Sequence, residues 1–224
     1  MEKIIDVEGF FSNELSDIWE KYSDIDRDLI SRNFLAPKYV HENAILFLGI
    51  NPSFDEKKPL GTNFYEINEE NPGHSYFKKF KELAHKLDGV KWTHLDLLFF
   101  RETNQKAVDK FIYNNPKGLQ FIYDQIMISK KLVEKSKPKI IVASNTKVRQ
   151  LMGFDKKVEN NEDIWMGYDF EFDNKIGTHR IKTSGELYDT PIFFTSMLSG
   201  QRALDIGSFQ RLEWHIKFVL NNTL

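Results

Sequence analysis

Ala44-Ile-Leu-Phe-Leu-Gly-Ile50 is an almost unbroken apolar run, and it stops at once in Asn51-Pro52-Ser53. A short run of this kind, closed by polar turn residues, reads as a strand buried on both faces, as strands are in a parallel sheet covered by helices. Open sheets of that type place ligands beyond the carboxyl ends of their strands. The loop that begins at Asn51 is therefore the first place where chemistry is expected.

Three more stretches carry a strand signature: residues 92–100, Lys139-Ile-Ile-Val-Ala-Ser144 and Pro191-Ile-Phe-Phe194. Helical spacing fills the gaps. Residues 74–87 put Phe77, Phe80, Leu83, Ala84 and Leu87 on one stripe, and residues 117–135 do the same with Leu119, Ile122, Ile126, Ile128 and Leu132 before Pro138. Shorter amphipathic segments lie at 13–22, 145–152 and 208–220. The alternation predicts an α/β fold, a three-layer α/β/α sandwich around a central four-stranded parallel sheet. Residues 165–183 switch to alternating aromatic and polar side chains around Asp173-Asn174 and Gly177, an antiparallel hairpin expected as an excursion from that sheet. The connection over 54–73 is long and rich in Asn, Glu, Gly and Pro, a length that usually signals function or disorder. No repeat or linker divides the chain, so one domain over 1–224 is expected, with 1–43 a helical extension packed on it.

Composition narrows the function. The 224 residues carry 31 basic and 33 acidic side chains, a net charge of −2, so no global positive field exists to hold a polyanion. Any DNA-binding surface must be a local basic rim. There is no cysteine, which removes disulfides and thiolate-bound metals, and the six histidines lack close metal spacing. No metal or cofactor is expected; P-loop, dinucleotide and esterase motifs do not occur. The opening MEKIIDVEGF lacks a long apolar run, and no stretch approaches the roughly 20 apolar residues of a membrane span. A cytoplasmic monomer without a membrane partner is the expectation. The 19 Phe read as an aromatic-rich core.

Polar residues at the ends of the predicted strands carry a resemblance. Leu48-Gly49-Ile50-Asn51-Pro52-Ser53 resembles the GINPG motif of the mismatch-specific uracil and thymine glycosylases, with Ser53 in place of the final Gly. Phe194-Thr195-Ser196-Met197-Leu198-Ser199-Gly200-Gln201-Arg202 is similar to the HPSPLS-x-x-R loop of the uracil-DNA glycosylase superfamily, with Phe194 at the motif His. His94-Leu95-Asp96-Leu97-Leu98-Phe99-Phe100-Arg101 resembles that superfamily's second strand, where some branches carry a base-reading Asn; here Asp96 stands there. Residues 137–143 match its third strand. In sequence order these cover roughly 44–215.

The resemblance implies the uracil-DNA glycosylase fold and hydrolysis of the N-glycosidic bond of a flipped base. Asn51 would position the attacking water and Asp96 would face the base. Gly49, Ile50, Pro52 and Ser53 would border it, and Phe64 or Tyr65 would stack on it. Ser196, Met197, Leu198, Ser199, Gln201 and Arg202 would contact DNA. The reaction passes through an oxocarbenium-like sugar, so it needs a held water on one face and charge stabilisation for the departing base on the other. A neutral Asn is a poor general base and works by positioning, which implies slow turnover. Asp55 and Glu56 are alternative bases if the loop folds back. An ionised carboxylate only accepts hydrogen bonds, so Asp96 suits a donor-rich base edge better than uracil. Phe194 cannot replace the motif His. Lys57, Lys58 and Arg211 are candidate phosphate contacts. Two other readings stay open: a nucleic-acid or modified-nucleotide binding module that does not cut, and a small-molecule hydrolase.

Overall fold

The computed structural model describes residues 3–67, 74–87, 89–154, 165–200 and 203–223. The chain enters through β1 (Ile4–Asp6) and passes directly into α1 (Val7–Lys21), where the Asp6 carboxylate accepts from the Gly9 amide as the helix cap. Asp26 caps the short α2 (Arg27–Ser31) in the same way. β2 (Ala36–Pro37) and β3 (Tyr39–His41) follow, and β3 returns antiparallel to β1. The N-terminal segment thus contains strands as well as the expected helix, and α1 starts six residues earlier than its apolar spacing suggested.

The apolar run forms β4 (Ile45–Gly49), every residue of it buried. After the Asn51 loop, β5 (Phe64–Tyr65) lies parallel to β2, and α3 (Lys78–His85) leads to β6 (Trp92–Asp96). β6 is shorter than the run 92–100. The side chain of Gln125 takes both the Phe99 and Phe100 amides, so residues beyond Asp96 stay buried but leave the sheet. α4 (Gln105–Asn114), which the sequence reading did not anticipate, precedes α5 (Pro116–Ser136). Asn115 caps α5 ahead of Pro116, whose missing N–H costs nothing at a first helical position. Lys137 ends the helix in the left-handed region at φ 42°. β7 (Ile140–Ser144), α6 (Thr146–Met152), β8 (Phe170–Asp173), β9 (Thr178–Ile181), β10 (Pro191–Thr195) and α7 (Ile206–Thr223) complete the order.

Six strands form the central sheet, in the order β6-β4-β7-β10-β9-β8. The first four run parallel; β9 and β8 are antiparallel. The sheet is therefore wider than four strands. The 165–183 hairpin is no excursion: Ile192 pairs with His179, and the Thr178 hydroxyl donates to the Ile192 carbonyl at 2.6 Å.

Side-chain alternation splits the core in two. Leu46, Leu48, Ile141, Ala143 and Ile192 pack against α1, α5 and α6, whereas Ile45, Phe47, Ile140, Val142 and Phe193 pack against α3 and α7. Several of the phenylalanines do fill these cores. Phe47 meets Phe80 edge-on at 5.0 Å, and Trp19 meets Phe121 at 5.2 Å. Each such buried ring contributes roughly 1.5–3 kcal/mol of apolar transfer. The chain leaves β4 on one side to make β6 and returns past it to make β7, which opens a crevice at the carboxyl ends between them.

Candidate functional site

Gly49 is paired with Asp96 in the β4–β6 ladder. His94 and Asp96, two residues apart on β6, share the face of the sheet that carries α3 and α7. A Cβ on Gly49 would lie 2.1 Å from Asp96 Oδ1 and 3.2 Å from His94 Nε2, so only a glycine lets both groups converge over the strand end. Ser144 closes β7 on the same face, opposite Thr195 of β10. The Ser144 hydroxyl and His94 Nε2 are both buried and find no hydrogen-bond partner among the described residues.

The histidine is boxed by aromatics. Tyr76, Phe77 and Phe80 meet its ring edge-on at 5.7, 5.2 and 5.4 Å, and the Tyr65 hydroxyl lies 3.1 Å from Nδ1. Tyr65 arrives on β5 and stacks on Phe77 at 5.9 Å. Burial pulls His94 down to about 3, so its imidazole is neutral at physiological pH. Burial also pushes Asp96 up to about 7, and Asp96 lies 3.9 Å from His94 Nε2. Tyr65 and Tyr76 are raised first by burial and then by the nearby Asp96, which keeps both phenols protonated.

A frame of backbone contacts holds the surrounding loops. The buried Arg101 guanidinium donates to the carbonyls of Phe34, Leu60 and Thr62, tying the chain ahead of Phe64 and Tyr65 to the end of β6. The Asn51 side-chain amide donates to the Glu102 carbonyl at 2.6 Å, to Pro52 at 3.0 Å and to Phe100 at 3.4 Å. Thr103 and Phe54 exchange hydrogen bonds of 2.9 and 2.6 Å. Arg32 pairs with Glu102 at 2.7 Å and covers the Phe54 ring at 4.3 Å.

On the opposite face a crevice of about 550 Å³ opens between α4, α6 and the ends of β4, β7 and β10. Gln105, Asn145, Lys147, Arg149, Phe194 and Ser196 are among its lining residues. Lys147 pairs with Asp109 at 2.7 Å. The Arg149 guanidinium lies 5.3 Å from the Phe154 ring, and its Nε has no hydrogen-bond partner among the described residues. Asn145 holds φ at 97°, strained for a residue with a side chain, while its side chain caps α6.

Set against the sequence expectations, Gly49, Asp96 and Tyr65 converge, together with His94. Asn51 is turned into the loop backbone. Phe64 packs edge-on against Phe34 at 5.6 Å on the other core. Ile50 and Pro52 are buried, and Ser53, Asp55, Glu56 and Lys57 are exposed. Lys58 pairs with Asp55 at 3.6 Å, and Arg211 bonds to the Gly207 carbonyl. In the second motif Ser196 and Met197 reach the crevice, Ser199 is half-buried and Leu198 is buried in the α3/α7 core. Gln201 and Arg202 lie outside the described residues. His179 is half-buried among Phe154, Phe172 and Phe194 because its hairpin belongs to the sheet. His74 caps the turn before α3, as a polar helix-start residue does. Among the described residues no group of His, Asp and Glu is arranged to hold a metal, and no helix is long and apolar enough to cross a membrane.

Reading motifs alone missed His94 and Ser144. The signal was present: a residue two before Asp96 on a strand shares its face, and a strand-end Ser beside a strand-end Gly sits in the same row. No family model and no curated protein matches the chain.

Proposed function

We propose that the chain is a DNA-base N-glycosidase on a uracil-DNA glycosylase-like fold, acting on a flipped base at the carboxyl ends of β4 and β6. The observation that carries this reading is the convergence of Asp96 and His94 on the one position of β4 without a side chain, two residues before Asn51. Beside that position stand His94 Nε2 and the Ser144 hydroxyl, polar atoms without hydrogen-bond partners among the described residues, and the aromatic rings that box His94. In the hydrolysis a water adds its oxygen to the sugar carbon, and the electron pair of the C–N bond leaves with the base. The proton released by the water ends on the base nitrogen through solvent. Asn51 borders that reaction. Ser196 and the cationic side chains Lys147 and Arg149 line the crevice on the other face of the sheet, where a phosphate-bearing strand would run.

A second reading is a base-binding module that does not cut. One observation favours it: the Asn51 amide nitrogen is committed to three backbone carbonyls, so only its carbonyl oxygen is left to orient water. Single-turnover assays on oligonucleotides carrying uracil, hypoxanthine, xanthine or a G·T mismatch separate the two. Abasic-site formation by the native chain, lost in Asn51→Ala at unchanged melting temperature, is the expected result for the enzyme. Binding of the same oligonucleotides at low salt without any cleavage establishes the module.

A further inference from the structure

The β8–β9 hairpin belongs to the central sheet, and base excision as proposed above leaves it without a task. Its two faces differ. Strand alternation puts Glu171, Asp173 and Arg180 on one side, where the Arg180 guanidinium donates to the Asp173 carboxylate at 2.8 Å. Phe170, Phe172 and His179 take the other side, together with Phe194 of β10. There the rings form a row. Phe194 meets the His179 ring at 5.3 Å, and His179 meets Phe172 at 5.3 Å. The row begins in the crevice, which Phe194 lines, and runs outward to Phe172, which is 49% exposed.

A cation stands at the inner end. Phe154 stacks on Phe194 at 5.4 Å and lies 5.4 Å from the His179 ring, while the Arg149 guanidinium lies 5.3 Å from Phe154 itself. Arg149 also lines the crevice, and its Nε has no hydrogen-bond partner among the described residues. Burial first, and then the Arg149 charge, hold His179 below its usual value, so its imidazole is neutral at physiological pH and adds a flat ring rather than a second charge. Rings beside a cation suit one kind of ligand: bases stack on aromatic faces whatever their sequence, and a phosphate pairs with a guanidinium. The net charge of −2 supplies no long-range field for a polyanion, so a strand held here depends on local contacts of this sort. Inside a duplex both faces of a base are already stacked on neighbours, and only an unpaired base has a face to give.

We propose that the crevice and the β8–β9 hairpin form one track for single-stranded DNA, in which Arg149 takes a phosphate and the row Phe194, His179 and Phe172 stacks the unpaired bases beside it. The proposal rests on the reading of the crevice as the path of a phosphate-bearing strand. It sets the strand state of the substrate, single rather than double, and gives the hairpin its task.

The test is fluorescence anisotropy at several salt concentrations on three labelled probes of about ten nucleotides: oligo(dT), the same strand in duplex, and a strand of abasic residues with the same phosphates. The native chain is expected to bind oligo(dT) at least about 10-fold more tightly than either of the others. Phe172→Ala is expected to weaken oligo(dT) binding roughly 5- to 150-fold, the loss of one base–aromatic stack, with the salt dependence unchanged. Phe172→Trp restores the ring and the affinity. Arg149→Gln is expected to lower the slope of log affinity against log salt by about 0.7, one phosphate contact on a single strand. Circular dichroism checks that each variant keeps the native fold. Equal binding of the three probes, or Phe172→Ala within twofold of the native chain, overturns the track. A native dimer in sedimentation velocity that Phe172→Ala turns into monomer assigns the ring to a second copy and overturns it likewise. Because binding is read without cleavage, the two readings fail separately. Excision of a lesion base with no dependence on Phe172 leaves the glycosidase and removes the track. Ring-dependent binding of oligo(dT) without excision of any lesion keeps the track and removes base excision.

Discussion

His94 Nε2 and Asp96 Oδ1 stand 3.9 Å apart on one face of β6, and burial drives the two groups toward neutrality from opposite directions. The folded Asp96 value of about 7 lies above its unfolded value, so the native state holds the extra proton and stability falls as pH rises from about 4 to about 7. The folded His94 value of about 3 lies below its unfolded one, so the unfolded state holds the extra proton and stability falls as pH drops from about 6.5 toward 3. Across pH 4–6.5 the two slopes oppose each other, with Tyr65 and Tyr76, the other titratable groups facing the pair, uncharged throughout. Asp96→Asn is expected to gain on the native chain with rising pH, by on the order of 2–4 kcal/mol at pH 8 relative to pH 4. His94→Phe is expected to gain toward pH 4 instead. Urea unfolding at several pH values checks both signs.

Gly49→Ala tests the close approach of Asp96 and His94 to the end of β4. The added carbon lies in the space of the Asp96 carboxyl, and the other close group, His94 Nε2, cannot retreat through its aromatic box. Displacing the carboxyl is expected to reduce single-turnover excision by at least about 100-fold, as a misplacement of roughly 1 Å does in positioned sites. The melting temperature falls at the same time. In Gly49→Ala with Asp96→Ala the clash is relieved, so stability recovers while activity stays lost; thermal melts and excision assays on the two variants read these outcomes separately.

Arg101 holds a loop with no carboxylate partner among the described residues. Its guanidinium spans three carbonyls from two segments, and a lysine ammonium cannot reach that set in one plane. Arg101→Lys is expected to cost about 1–3 kcal/mol and to free the chain around residues 60–62. Limited proteolysis should then cut in this loop while the core persists, and Tyr65 should lose its hold on His94.

Ser144 offers the opposite balance. A buried hydroxyl with no partner among the described residues is a desolvated group with no return, so Ser144→Ala is expected to be neutral or to stabilise the chain by up to about 1 kcal/mol. If the hydroxyl serves the bound base, affinity for lesion-bearing oligonucleotide falls in the same variant. Calorimetry and a binding titration on one preparation decide it.

The parallel strands were legible because β4, β7 and β10 are runs of consecutive apolar residues, which only a sheet covered on both faces tolerates. The small strands β1, β2, β3 and β5 were not. Each is two or three residues long and exists through its partner rather than its own periodicity. α4 carried a readable signal in Asn104, whose side chain accepts from the Lys106 amide, and in Val108, Phe111 and Ile112 at helical spacing, which the sequence reading passed over. At the site, Asp96 stood out by position in a motif. His94 had no motif and became visible only when the register placed it beside Gly49. The burial of Arg101 under the 60–62 segment depends on contacts over some forty residues of chain, which no local pattern encodes.

β6 is the terminal strand of the central sheet, whereas β4, which leads into Asn51, has hydrogen-bonded strands on both sides. His94 and Asp96 therefore sit on a strand with one sheet neighbour, and Asn51 follows a strand with two. Under the proposed reading, such a division lets substitutions at 94 and 96 shift ligand preference while the inner ladder stays intact. Divergence in what is recognised can then proceed at the margin of the sheet without revision of its centre.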